Sequence, residues 1–303
     1  RPVDNERRRK RRRKRIMKAL IAWAVCILLV GLIAVGTVRV VSSVASSKKR
    51  QFRQDGIEKL VSGDYTGAIE AFDTALEKSG KKSDGFNSDV LGYRAEAEYK
   101  LRDYEAAVHT YGLLLEMKPD TAVYLYAQSM CYAHLGDTDN AIDRYHAGNA
   151  VQKEDKDEAG RQEALFAAGG ACVDAGEYEK AMGLYQDAIR EGVKHGQVYN
   201  QMGLCQMAEK DYQGALDSFN QGYETFVTGH SLGSGAEPAQ AAAALNADAR
   251  ADMALLKELV YNRAVAYEYL SEYKKALGLF EDYVSVFGPN EDAEHEIAFL
   301  KTR

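Results

Sequence analysis

Residues 176–185 read GEYEKAMGLY. A glycine turns the chain, and the acid after it can accept hydrogen bonds at a helix N-terminus while opposing the helix dipole. The aromatic that follows, Tyr178, suits packing back onto a preceding helix. Ala181 is small enough for two helices to cross there, and Tyr185, one turn further along the same face, fills the next groove. The phrase reads as the turn and second half of a tight helical hairpin.

The same phrase returns five times: GDYTGAIEAF at 63–72, RDYEAAVHTY at 102–111, GDTDNAIDRY at 136–145, KDYQGALDSF at 210–219 and SEYKKALGLF at 271–280. Its alanines, Ala68, Ala107, Ala141, Ala181, Ala215 and Ala276, are spaced by 39, 34, 40, 34 and 61 residues. Twelve residues before each stands Gly56, Ala95, Ser129, Gly169, Gly203 or Ala264, all small, as a close crossing on the first helix of each hairpin demands. Pro119 and Pro289 fall just past second helices, where a helix should stop. A fixed period of this length marks a repeat array, in which each hairpin buries its apolar face only against its neighbours.

The pattern resembles the tetratricopeptide repeat family over residues 52–290. The resemblance implies an all-α, right-handed superhelical solenoid of about six helix pairs, whose first helices line a concave face that binds peptides or partner proteins. On this register Tyr99, Tyr126, Met130, His134, Phe166, Asn200, Leu204, Met207, Tyr261 and Val265 point into that groove. The large first-helix aromatic of the family is mostly leucine here (Leu91, Leu125, Leu165), and the 61-residue spacing places an insertion at about 225–250. Of the Lys/Asn clamp with which some relatives hold a C-terminal carboxylate, only Asn200 and Asn262 find a counterpart. The segment 291–303 spaces Ala293, Ile297 and Leu300 helically and is expected to cap the last apolar face.

Ahead of the array the composition changes. Residues 1–18 form a basic tail with eleven Lys/Arg, nine of them consecutive (Arg7–Arg15), and 19–38 carry no charge at all. Twenty helical residues span about 30 Å, the thickness of a bilayer's hydrocarbon core. A transmembrane helix is therefore expected at 19–41, followed by a short linker at 42–51. The larger cationic flank precedes the span, so the tail should stay cytoplasmic and the repeats lie on the opposite side of a cell membrane. The apolar run exceeds the usual length of a signal-peptide core, which favours an uncleaved anchor over cleavage near Ala45. Because the chain opens on Arg, its native start is expected upstream.

The net charge of −6 hides this asymmetry. Residues 55–303 hold 23 basic and 43 acidic groups, a charge of about −20 that repels phosphate backbones. Nucleic acid is thus an unexpected partner, and segments combining basic and hydrophobic residues are the expected ones.

Nothing in the sequence assembles a catalytic, cofactor or metal site. The six histidines are scattered, and Cys131, Cys172 and Cys205 fall in first helices as small buried hydrophobes without metal-ligand spacing. Gly229-His230-Ser231-Leu232-Gly233 matches the G-x-S-x-G nucleophile elbow, but repeats flank it and leave no room for a hydrolase sheet. A mobile, tolerant Gly/Ser loop entering an Ala-rich helix accounts for the same letters. The expected function is a non-enzymatic membrane-anchored scaffold; the alternatives are a translocon-associated chaperone-like factor, an organelle receptor with cytosolic repeats, and a serine hydrolase using Ser231.

Overall fold

The computed structural model describes residues 47–79, 84–152, 160–245 and 249–303. The basic tail, the expected transmembrane helix and the first residues of the linker lie outside them. No helix among the described residues is long and apolar enough to cross a membrane. The described residues form helices and no strand.

Six hairpins follow one another. They are α1 (47–62) with α2 (Tyr65–Ser79), α3 (Asp84–Leu101) with α4 (Tyr104–Met117), and α5 (Ala122–His134) with α6 (Thr138–Val151). Then come α7 (Arg161–Asp174) with α8 (Tyr178–Arg190), α9 (Gly196–Ala208) with α10 (Tyr212–Gly229), and α12 (Arg250–Tyr269) with α13 (Tyr273–Phe287). A short α11 (Pro238–Ala244) lies in the insertion, and α14 (Glu291–Leu300) follows the last hairpin. The chain divides between Met117 and Lys118 into two compact units. The first contains the two hairpins α1–α4. In the second, α5 packs on α7, α9 on α12, and each second helix on the first helix of the next hairpin.

The repeated phrase dictates each turn. Gly63, Arg102, Gly136, Gly176, Lys210 and Ser271 all adopt a left-handed backbone, with φ between 62° and 86°. At the GEYEK turn the Gly176 N–H donates to Val173 O at 2.9 Å and the Glu177 N–H to Cys172 O at 2.8 Å. This pair of bonds closes the end of a helix by satisfying two of its orphan carbonyls, and it recurs at all six turns. The acid then caps the second helix: Asp64, Asp103, Asp137 and Asp211 accept the backbone N–H three residues on, at 3.0–3.2 Å. Glu177 and Glu272, one methylene longer, make no such cap. Glu177 instead accepts the Thr138 hydroxyl at 2.7 Å, tying one hairpin to the previous one.

Packing follows the small residues. All six crossing alanines are fully buried. The partner of the small first-helix residue is often the aromatic rather than the alanine. A Cβ on Gly56 would lie 2.4 Å from the Phe72 ring, one on Gly203 2.4 Å from Phe219, and one on Gly169 2.1 Å from the Tyr185 hydroxyl. At Ser129 the hydroxyl is turned to use: it donates to Ala141 O at 2.7 Å.

The insertion is part of the core. α10 ends in the same closure, with Ser231 N–H on Thr228 O and Leu232 N–H on Val227 O. Tyr223 donates to Ala236 O at 2.7 Å, and Glu224 accepts Ser234 and Gly235. Tyr223, Phe226, Val227 and Ala241 pack with Leu255, Leu256, Leu259 and Val260 of α12. At 229–235 the residues are mostly exposed and a Cβ on Gly229 or Gly233 would meet nothing within 4 Å, while Glu224 holds Ser234 and Gly235.

Candidate functional site

The first helices of the second unit carry most of the residues expected to face a ligand. Along α5, Met130 is half-buried against the core and His134 is exposed in the last turn. Phe166 of α7 is half-buried, its ring 6.5 Å from that of Tyr185 and 6.3 Å from His195. Leu204 of α9 is 40% exposed, unusual for a leucine in a packed helix, and Met207 one turn on is half-buried. On α12, Val265 is half-buried, and Tyr261 stands edge-on to Phe280 and Tyr283, 5.4 and 5.6 Å away. Burial raises the Tyr261 phenol pKa above its ordinary value, and the Asp292 and Glu296 carboxylates add to the effect. Tyr99 belongs to the first unit, where it packs edge-on to Tyr104.

Two expected surface residues are interior. Tyr126 is fully buried: its hydroxyl lies 2.7 Å from Asn149 Oδ1 and 2.9 Å from Gln152 Oε1. Its ring covers Gly148, where a Cβ would sit 2.4 Å from it. Asn200 is also fully buried. Its Nδ2 donates to Glu258 Oε2 at 2.9 Å and its Oδ1 accepts Asn262 Nδ2 at 2.9 Å. Position on a first helix therefore does not suffice for exposure, because a glycine across the hairpin or a polar partner on the next helix can draw the side chain inward.

The structure adds two residues that sequence reasoning missed. Tyr269 is 58% exposed and stacked on Tyr212 at 4.7 Å, at the end of the α12 face that holds Tyr261 and Val265. Its spacing of four and eight residues from those two was the available signal. Glu258 is exposed and lies one turn before Asn262. Elsewhere a cleft of about 500 Å³ opens between the α8–α9 turn and α10, lined by Lys194, Tyr199, Gln221, Glu224, Thr225, Thr228 and Gly229.

Ser231 has the positive φ of an elbow serine, 60°, but for a different reason. It is the left-handed residue that closes α10. The N–H after it, which an elbow would supply to an oxyanion, is already bound to Val227 O at 2.9 Å. His230, beside it, directs Nδ1 to Phe226 O at 2.9 Å and Nε2 towards Asp252 at 3.4 Å. The Cys172 and Cys205 thiols are buried, which pushes each up to about 11 and suppresses the reactive thiolate. Among the described residues no group of His, Cys, Asp or Glu could hold a metal ion.

Left-handed turn, acid cap, crossing alanine and aromatic together define one repeated unit. Residues 56–148 match the tetratricopeptide repeat family. The two matched segments, 56–112 and 93–148, overlap. Beyond them the same helix closure recurs at Gly176, Lys210 and Ser271.

Among solved structures the chain is similar to the MamA protein (19% identity, 59% of this chain and 92% of that one, TM-score 0.48). It is also similar to YrrB, a tetratricopeptide repeat protein with an unusual peptide-binding site (17%, 78% and 100%, 0.46). A tetratricopeptide repeat protein from Parabacteroides merdae gives 17% identity, 84% and 99% coverage, and 0.47. No curated protein matches the chain.

Proposed function

We propose that this protein is a non-enzymatic interaction scaffold, anchored in a cell membrane by residues 19–41, with its tail cytoplasmic and its tetratricopeptide array on the opposite side. The array binds peptide or protein segments on the face formed by its first helices. One observation carries the binding reading: α9 leaves Leu204 40% exposed one turn from half-buried Met207, and α12, which packs on α9, leaves Tyr269 58% exposed one turn from half-buried Val265. Large apolar side chains left exposed on first helices are a cost in water unless something covers them. Adaptable Met and aromatic side chains suit the anchoring of a variable segment. The acidic body favours segments that carry basic groups, with salt weakening that part of the attraction.

The binding reading is tested by capture of peptides on the purified full chain, comparing wild type with Leu204→Asp. A charge on this face should abolish capture while the chain still folds, with only a small fall in melting temperature, since the leucine is 40% exposed. Undiminished capture would refute the face. The topology is tested by protease added to intact spheroplasts. Digestion of the repeats is expected; protection until lysis would contradict the proposed orientation.

A further inference from the structure

We infer that the Glu258–Asn200–Asn262 array is a recognition site for a cationic group, a lysine or arginine side chain of a bound segment, next to the aliphatic anchor Leu204. This inference rests on the binding face proposed above and deepens it.

The direction of the hydrogen bonds carries the argument. Glu258, as a carboxylate, can only accept, so the buried Asn200 amide must turn its NH2 group to it. Asn200 Oδ1 is thereby turned the other way, and Asn262 must donate to it. The chain runs Asn262 to Asn200 to Glu258, and its orientation is fixed by chemistry. Each amide spends a donor inside the chain, and the exposed end is a carboxylate whose second oxygen takes no hydrogen bond among the described residues. The Glu258 end of the array presents a carboxylate outward, which repels a carboxylate ligand and welcomes an ammonium or guanidinium.

The charges around it agree. Among the described residues no lysine or arginine pairs with Glu258. Lys257, its neighbour in sequence, lies over the Phe287 ring at 5.7 Å, and Arg263 is held by Asn220 Oδ1 at 2.8 Å and the Tyr223 ring. The two cations of this stretch of α12 are therefore committed to α13 and α10. The carboxylate is left uncompensated on a body whose charge is already strongly negative. Asn200, fully buried, holds Glu258 in place from below, so little side-chain freedom remains to be lost when a cation arrives. Leu204 lies one turn along α9 from Asn200, placing an exposed aliphatic side chain on the same helix face. The ligand this arrangement fits is a Lys or Arg with a hydrophobic residue close by in sequence.

The test uses random dodecapeptides displayed on phage, selected on the immobilised full chain, with the winning peptides then titrated against wild type and variants. Glu258→Gln keeps an acceptor for Asn200 and removes only the charge, so its fold should melt as wild type does. The inference expects winners rich in Lys or Arg beside an aliphatic residue, weakened about tenfold by Glu258→Gln, as loss of one charge-assisted hydrogen bond implies. It also expects Glu258→Lys to select acidic residues instead. Winners without a cation, or equal affinity for wild type and Glu258→Gln, would overturn this inference and leave the binding face standing. Failure to select any peptide would overturn both.

Discussion

The Phe219 ring occupies the space that a side chain on Gly203 would need: a Cβ there would lie 2.4 Å from it. The ring is fully buried and cannot withdraw. Gly203→Ala should therefore destabilise the fold by about 1–3 kcal/mol, the usual cost of overpacking a tight core. Gly170 and Gly183 are also helical, but a Cβ on either meets nothing within 4 Å. Replacing them with Ala should stabilise by about 0.5–1 kcal/mol through helix propensity alone. Thermal melting of the three variants checks both signs, and a common sign would contradict the packing described.

The left-handed turn residues offer a second test. Arg102, Lys210 and Ser271 hold φ values of 62–65° that side chains tolerate poorly. Each replaced by Gly should gain up to about 1 kcal/mol, and the three should add because they are far apart. Gly136→Ala and Gly176→Ala should lose a similar amount. Denaturant midpoints measure each change; a loss on Lys210→Gly would show that the turn is not limited by backbone strain.

The hairpin architecture was legible because its signals are local. The turn residue, the acid one position on and the crossing alanine lie within six residues, and six copies fix the register. The candidate face was less legible because exposure is decided across the hairpin. Tyr126 reads as a ligand-facing aromatic until Gly148, twenty-two residues later, is seen to admit its ring. Asn200 reads as a groove amide until Glu258 and Asn262 reach it from another hairpin. The anchoring of the insertion was hidden for the same reason. Its Gly/Ser letters suggest slack, whereas Tyr223 and Glu224, earlier in α10, fasten it.

A buried ion pair gives the first unit a pH signature. Glu98 is 2% exposed, with Oε1 2.5 Å from Arg94 Nη1, while Arg94 also reaches Asp73 at 2.7 Å and Thr110 at 2.5 Å. Burial raises the Glu98 pKa above the ordinary 4.5; Thr110 and Arg94 lower it and Asp103 and Asp73 raise it, with a net upward shift. A carboxyl whose folded pKa is raised contributes stability below its ordinary value and loses it as pH rises through the folded one. Relative to Glu98→Gln, the wild type should therefore lose stability from pH 4.5 upwards. Urea midpoints of the two proteins across that range decide it, and a constant difference would contradict the assignment.

Ser231 should be chemically inert. Its left-handed φ belongs to the closure of α10, and the neighbouring N–H is occupied. Fluorophosphonate should not label the chain, and ester hydrolysis should not exceed that of Ser231→Ala. Stoichiometric labelling lost in that variant would restore the hydrolase reading.

Segments are expected to bind on the first-helix face. Site-specific photo-crosslinking in living cells tests this directly, with a benzophenone side chain at Leu204 in one protein and at exposed Glu179 of α8 in another. Crosslinked adducts from position 204, competed away by excess binding peptide, are predicted, with none from position 179. Adducts from 179 and none from 204 would contradict the claim.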